Sequence, residues 1–368
     1  MDEKRTQAAP VAQPVHGGPQ PGYYQPPKPS FFSRLLSKIS WIGFAFCAFS
    51  LIGLSIAFSD YFDKTGGIQE KHYAGGDYST EKIAIISLEG MITSGEGFVK
   101  KQIERVRKDK NIKAIVLRVD SPGGTVSGSD FIYHHLKKLK EEKGVPVVVS
   151  MGSMAASGGY YVSMVVGDQQ EAIFAEPTTI TGSIGVIIPH YDISGLMKKL
   201  EIKDDSIKSH PRKQILSMTQ EMPEDHRQLI QAYIDESLVD FKNIVKAGRP
   251  AFREGGAVEG KTLDDLATGE IFSSKMALKY GLVDKIGYLE DAVDRAAELA
   301  NVNVSDVRVV RFEGPPSIFG VMGMAEPSYP TEANSQTMLE LATPKAYYMF
   351  TMAPLWLDSF KTVDLLAK

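Results

Sequence analysis

The chain has 368 residues, 43% of them apolar and 23% charged, the balance of an ordinary globular protein long enough for one large domain or two modest ones. Its net charge of −4 is spread over 41 basic and 45 acidic residues, so no global field points to nucleic acid or to an acidic partner. The single cysteine, Cys47, excludes an intrachain disulfide and a cysteine-based metal site, which leaves stability to burial and assembly.

Residues 1 to about 30 contain AAPVAQPVHGGPQPGYYQPPKP, rich in Pro, Gln and Gly and without apolar periodicity. Such a segment buries too little to offset its ordering entropy and reads as disordered. Residues 41–58, WIGFAFCAFSLIGLSIAF, then carry no charge, at about the length a helix needs to cross the hydrocarbon core. A cleaved signal peptide is disfavoured by the long preceding tail, and a soluble core helix by the missing polar stripe. Lys28, Arg34 and Lys38 precede this segment, and Asp60 and Asp63 follow it. The positive-inside rule puts the N-terminus in the cytoplasm and the remainder outside, in an inner or plasma membrane crossed once.

Beyond residue 60, strand and helix signals alternate. KIAIISLEG (82–90), KAIVLRVD (113–120) and PVVVSMG (146–152) read as strands, separated by amphipathic helices over 98–108 and 128–143. A helix is expected after Ser157 to about Val166, then a strand at EAIFAEP and a charged helix over 223–246. A last α/β unit runs from Gly269 to about Phe312, and 314–343 reads as loop. The pattern is that of an α/β fold with a parallel sheet covered by helices on both faces.

Two glycine-bearing turns follow neighbouring strands: DSPGGTVSG (120–128) and MGSMAASGG (151–159). In α/β sheets the carboxyl ends of strands gather helix N-termini and free backbone N–H groups, so both turns should face one crevice. One such turn would be a plain tight connection. Two, the second ending in Ser-Gly-Gly at a helix start, point to a nucleophile elbow at Ser157, with oxyanion donors in the N–H of Gly124 and of Gly158 or Ser157. The small residues of both turns suggest a shallow groove that takes small or apolar substrate side chains.

A serine needs a base. His134 and His135 lie on a Lys/Glu-rich helix and His226 in the polar run EDHRQ, all with a solvated reading; His190, after the apolar strand IGVIIP (184–189), and His210 have no acidic partner nearby in sequence. Lysine is the other choice, and it must be desolvated or set beside a cation to be neutral.

DSPGG, SMGSMAASGGYY, TITGSIGV (179–186), IKSHPRKQ (207–214) and GEIFSSKMALKYGLVDKIG (269–287) occur here in the order found in signal peptide peptidase A. Over roughly residues 80 to 312 the chain resembles the short bacterial form of that membrane-bound Ser-Lys protease. Single motifs also suit the Clp proteolytic subunit and the crotonases. The resemblance implies a Clp protease/crotonase-like fold of repeated ββα units preceded by one transmembrane helix. It implies Ser157 as nucleophile, Lys213 after an IKS strand as general base, Ser183 as the hydroxyl orienting that lysine, and Gly124 as an oxyanion donor. Arg212 is a neighbouring cation that would favour a neutral amine, and Lys208, inside the apparent strand, ranks below Lys213. It further implies remnant signal peptides as substrates, with misfolded membrane or secreted proteins besides, no metal or other cofactor, and a homo-oligomeric ring, octameric for the short form, in which neighbouring protomers supply serine and lysine.

The expected organisation is a tail over 1–40, a span over 41–58, a linker over 59–79, a protease domain over 80–312 and an extension over 313–368. The aromatics of AYYMFTMAPLWLDSFKTVDLLAK in that extension are expected to pack on the domain rather than meet the membrane or enter the groove. Two rivals remain at this stage. An acyl-CoA enzyme on a crotonase-like fold would leave Ser157 unlabelled by a fluorophosphonate, and a non-catalytic membrane scaffold would tolerate Ser157→Ala.

Overall fold

The computed structural model describes residues 31–62, 67–314 and 346–349. The chain divides into two compact units, residues 1–63 and 64–368. The first is a helix, α1 (Phe31–Phe62), that extends beyond the apolar core of the segment at both ends. Its 32 residues rise about 48 Å at 1.5 Å each, more than a hydrocarbon core of about 30 Å requires. None of its window Lys38–Ser55 is buried, and Trp41, Phe46 and Phe49 stand out from it.

The second unit is built on one mixed sheet. Its strands are β1 (Gln69–Gly75), β2 (Lys82–Glu89), β3 (Ile112–Ser121), β5 (Val147–Ala156), β6 (Ile173–Ala175), β7 (Ile180–Gly182), β10 (Ile271–Ser273), β11 (Lys285–Ile286) and β12 (Arg308–Glu313). The order is β1-β12-β2-β3-β5-β6-β11, with β7 also paired to β5 and β10 to β7. Every pair is parallel except β1–β12 and β7–β10. Thus part of the segment read as a linker, residues 69–75, is an edge strand. Four short strands lie outside this sheet: β4 (Gly123–Thr125) paired with β13 (Tyr347–Met349), and β8 (Ala257–Val258) paired with β9 (Lys261–Thr262).

Helices α2 (Phe98–Lys108), α3 (Val126–Lys143), α4 (Gly158–Ser163), α5 (Ser194–Lys199), α6 (Glu224–Gly248), α7 (Leu263–Leu266), α8 (Ser274–Lys279) and α9 (Leu289–Leu299) complete the unit. The period of two along each strand divides the core between the two faces. Ile83, Ile85, Ala114, Val116 and Val148 pack with Ala292, Val293, Ala296 and Ala297 of α9. Ala84, Ile86, Ile115, Leu117, Val147 and Val149 pack on the other side with Ile103 and Val106 of α2, Leu136 and Leu139 of α3, and Phe241 and Val245 of α6. Strands covered on both sides explain why they read as near-continuous apolar runs.

Two sequence expectations fail. IGVIIP is not a strand: from 183 to 190 only Ile187 makes a bridge. Residues 207–209 are not a strand either, so the IKS strand that placed Lys213 and demoted Lys208 is absent. Both lie in a long arm: no residue from 185 to 225 is buried, so nothing in the sheet demands extended pairing there.

Candidate active site

Ser157 is positioned by a change of strand partners. The strand β5 pairs with β6 at Val149–Met151, passes a register shift against β3, and pairs with β7 at Met154–Ala156. It therefore continues to Ala156, so MGSMAA is strand rather than turn. At Ser157 the backbone swings to φ 53°, ψ −112°, and α4 starts at the next residue. A positive φ is strained for a residue with a Cβ and is the signature of a sharp strand-to-helix turn. The Ser157 N–H donates to the Gly182 carbonyl (2.8 Å) and its own carbonyl accepts from Tyr161 N–H (2.8 Å), fixing the turn from both sides. Its side chain is buried at 1% exposure, yet among the described residues Oγ has no hydrogen-bond partner.

The small residues around it are explained by close approach. A Cβ on Gly159 would lie 3.0 Å from the Ser121 carbonyl oxygen, and one on Gly158 would lie 2.4 Å from Ser129 Oγ. The helix start is thus seated directly on the end of β3 and on α3.

Gly124 belongs to β4, a strand of three residues that links β3 to α3. On one side Ile92 N–H donates to Gly123 C=O (2.9 Å), and Thr125 N–H donates to Ile92 C=O (2.8 Å). Those bonds leave the N–H and C=O of Gly124 itself pointing to the opposite side, as alternate residues of a strand do. There Tyr347–Met349, strand β13, pairs antiparallel with β4, with Tyr348 opposite Gly124. Val126 N–H donates to Ala346 C=O (3.1 Å), which fixes the alternation and sets the Gly124 N–H on the Tyr348 carbonyl. A Cβ on Gly123 would lie 2.1 Å from that carbonyl oxygen and 2.6 Å from Gly158 N, and one on Gly158 would lie 3.1 Å from the oxygen. The Tyr348 carbonyl is therefore flanked by Gly123, Gly124 and Gly158, beside Ser157.

The described start of the aromatic extension packs on the domain, as expected, and it does so beside Gly124; the rest of the extension lies outside the described residues. Tyr348 is 1% exposed; its ring stacks on Tyr161 (centroids 5.2 Å apart) and meets Phe241 (4.6 Å), and its hydroxyl donates to the Ser237 carbonyl (2.9 Å). Burial pushes the Tyr348 phenol far above its ordinary pKa, so it remains a donor. The pocket walls come from α4 and α6, and sequence reading missed them because Tyr161 and Phe241 look like any core aromatics.

Ser183 lies one residue beyond Gly182, whose carbonyl holds Ser157 N–H. It is 5% exposed at φ 52°, with its N–H on the Glu270 carbonyl (2.7 Å). Four of the five residues singled out in the sequence, Ser157, Gly124, Gly158 and Ser183, thus converge. Lys213 does not join them within this chain. It sits exposed in a single 3₁₀ turn, Pro211–Gln214, and among the described residues its ammonium has no partner. Lys208 bonds Gln214, and Arg212 pairs with Asp225 (3.6 Å) on the surface. Among the described residues no histidine bonds Ser157 Oγ in place of the lysine: His190 bonds the Ser217 carbonyl (3.2 Å), His210 accepts from Arg212 N–H (3.2 Å), and His135 meets Lys100 (2.9 Å). His226, expected to be solvated, is instead buried at 4% exposure, because its turn of α6 faces the domain.

Residues 139–303 match the model of peptidase family S49. A Synechocystis protein named as a protease is 36% identical over 278 residues, which span 75% of this chain and 96% of that protein. The chain belongs to peptidase family S49. An Enterococcus faecium protein named for signal peptide peptidase SppA is 32% identical over 64% of this chain and 68% of its own length. Protease 4 of Salmonella typhi is 36% identical over 60% of this chain but only 35% of that longer protein. Membership of S49 makes the chain a serine protease acting on peptides, and with its apolar N-terminal helix it is a membrane-associated one.

Proposed function

We propose that Ser157 is the nucleophile of this protease and Lys213 of a neighbouring protomer its general base. The observation that carries the reading is the buried Ser157 Oγ, without a hydrogen-bond partner among the described residues, on a strained turn beside glycines 123, 124 and 158, which close round a peptide carbonyl. In the reaction Lys213 takes the Ser157 proton as Oγ attacks the scissile carbonyl, and the N–H groups of Gly124 and Gly158 hold the oxyanion. The lysine returns the proton to the leaving amine, then activates a water that frees the acyl group. Ser183 orients the lysine.

Two features of the arm support a base supplied in trans. It contributes no buried residue of its own, and it exposes the large apolar side chains of Leu196, Leu200, Ile202, Ile207 and Met218. Docking on a second copy would cover those side chains and dehydrate the amine, which disfavours its charged form. A closed ring, octameric by resemblance, supplies one such contact per protomer. The substrates we infer are remnant signal peptides and other apolar membrane or secreted segments. The charge asymmetry around α1, with Arg34 and Lys38 before the apolar run and Asp60 after it, favours a cytoplasmic N-terminus and an extracytoplasmic catalytic unit.

Fluorophosphonate labelling of the full chain in detergent, followed by peptide mapping, tests the nucleophile. The label is expected on Ser157 and is expected to vanish in Ser157→Ala. A label on another serine, or none in an enzyme that hydrolyses peptides, would refute the assignment.

A further inference from the structure

We propose that Asp120 is a positioning residue for the nucleophile: its carboxylate holds a bulge in β5 that transfers this strand from β6 to β7 and so aims Ser157. This role rests on Ser157 being the nucleophile and adds what sets its position.

Apart from Lys113 near its start, the central strand β3 carries two charged side chains, Arg118 and Asp120. By the period of two, both share the sheet face of Val116, which packs with the alanines of α9. A charge set into the middle of a parallel sheet costs free energy unless it is paired and hydrogen-bonded. Neither charge enters the proteolytic chemistry described above, yet each is fully engaged.

The β3–β5 ladder pairs Val119 with Met151 and next pairs Ser121 with Ala155. Four steps along β5 thus match two along β3, and the surplus residues of β5 form a bulge. Bulges bend a strand and re-aim the side chains that follow. Asp120 stands opposite this one. Its Oδ1 accepts from Ser153 Oγ (2.6 Å) and from Met154 N–H (3.1 Å), the backbone donor that faces β3 within the bulge. From the other side Thr179 Oγ1 donates to the Gly152 carbonyl (2.6 Å), and Glu176 N–H donates to the Met151 carbonyl (3.2 Å). Arg118 completes the set, donating to Ser150 Oγ (3.0 Å) and to Glu176 (2.6 Å). A Cβ on Gly152 would lie 2.9 Å from both Arg118 Nη2 and Asp120 Oδ2, so the bulge closes directly on the two charged groups.

The bulge delivers the nucleophile. Before it, Val149–Met151 pair with β6; after it, Met154–Ala156 pair with Ile180–Gly182 of β7. Ser157 N–H then reaches the Gly182 carbonyl (2.8 Å). Among the described residues nothing bonds Ser157 Oγ, so Asp120 acts through the backbone and not on the reacting atoms. Releasing its two bonds frees the strand three residues before the nucleophile, where a displacement of about 1 Å at the reacting atom costs about 100-fold in rate.

The test compares Asp120→Ala, Asp120→Asn and Ser153→Ala with wild type, each as the full chain in detergent. The readouts are steady-state hydrolysis of a fluorogenic apolar peptide, the rate of fluorophosphonate labelling at Ser157, and thermal denaturation. Asp120→Ala is expected to lower kcat and the labelling rate about 10- to 100-fold, with KM changed by less than about threefold. Asparagine keeps an oxygen for both donors, so Asp120→Asn is expected to recover both rates to within about threefold of wild type. Ser153→Ala removes one bond from an exposed side chain and leaves Met154 N–H paired; both rates should fall about threefold. A folded Asp120→Ala chain with wild-type kcat and labelling rate would overturn the proposal, as would a rise in KM at unchanged kcat. Asp120→Asn as slow as Asp120→Ala would overturn the role of the two hydrogen bonds. If Asp120→Ala does not fold, Ser153→Ala decides, and a wild-type labelling rate in that variant overturns the proposal. Wild-type chain that hydrolyses the peptide with no label on Ser157 would instead refute the nucleophile, and this role with it.

Discussion

Ser157 and Lys213 lie in regions that differ in almost every physical respect. The serine is at the end of a central strand, 1% exposed, with its backbone bonded to Gly182 and Tyr161 and its neighbours Ala155, Ala156, Gly158 and Gly159 all buried. The lysine is on an arm in which no residue from 185 to 225 is buried. One half of the proposed dyad is therefore folded by its own chain, and the other is presented at the surface. On the proposed mechanism, an isolated subunit would hold the nucleophile and oxyanion donors but lack the base until copies assemble, which would restrain its hydrolysis.

The largest test of that contrast is Ser157→Ala. Hydrolysis of a peptide substrate is expected to fall by about 10⁴- to 10⁶-fold. The melting temperature should hardly move, because Oγ has no hydrogen bond to lose. Lys213→Ala should reduce kcat by about 10³- to 10⁴-fold, with unfolding free energy altered by less than about 0.5 kcal/mol, as for other surface positions. Chemical denaturation and steady-state kinetics on the same preparations separate the two effects. Phe241→Ala sharpens the contrast from the buried side: removing a fully buried ring from the pocket wall should cost about 3–5 kcal/mol of stability. The paired change Leu200→Glu and Ile207→Glu should do the reverse. Each site is exposed, so folding of the single chain is expected to shift by less than about 0.5 kcal/mol per change, while sedimentation shows loss of assembly.

The smallest expected effect concerns pH. Burial, reinforced by the neighbouring Lys100 ammonium, lowers the His135 pKa below its ordinary 6.5. Above 6.5 both folded and unfolded chains leave the ring neutral and stability is full; as pH falls below 6.5 the unfolded chain binds a proton the folded one resists, and stability declines through the folded pKa. Denaturation midpoints measured on either side of that window should therefore show a slope that His135→Gln reduces.

The sheet was legible in the sequence because period-two apolar runs and amphipathic helices are local signals, and β2, β3 and α2 fall within a residue or two of their expected bounds. Ser157, Gly124 and Gly158 were legible for a related reason: glycines and a serine at the ends of strands have few structural uses other than close approach. The arm was misread because Ile184–Pro189 and Ile207–Ser209 carry apolar strand signals, of which only Ile187 finds a partner, a single bridge to Tyr347. The pocket stayed hidden because it joins Tyr161, Phe241 and Tyr348, residues brought together from α4, α6 and β13. Nothing in the local pattern of any one of them records the other two.

Mixing inactive protomers tests the divided dyad most directly. Ser157→Ala and Lys213→Ala chains are purified separately, dissociated, combined in equal amounts and reassembled. If serine and lysine meet across a protomer boundary, random mixing in a closed ring restores about a quarter of wild-type peptide hydrolysis, because that fraction of sites pairs an intact serine with an intact lysine. If each chain had to supply both residues, the mixture would stay as inactive as its components, and the division between the buried serine and the exposed lysine would carry no catalytic meaning.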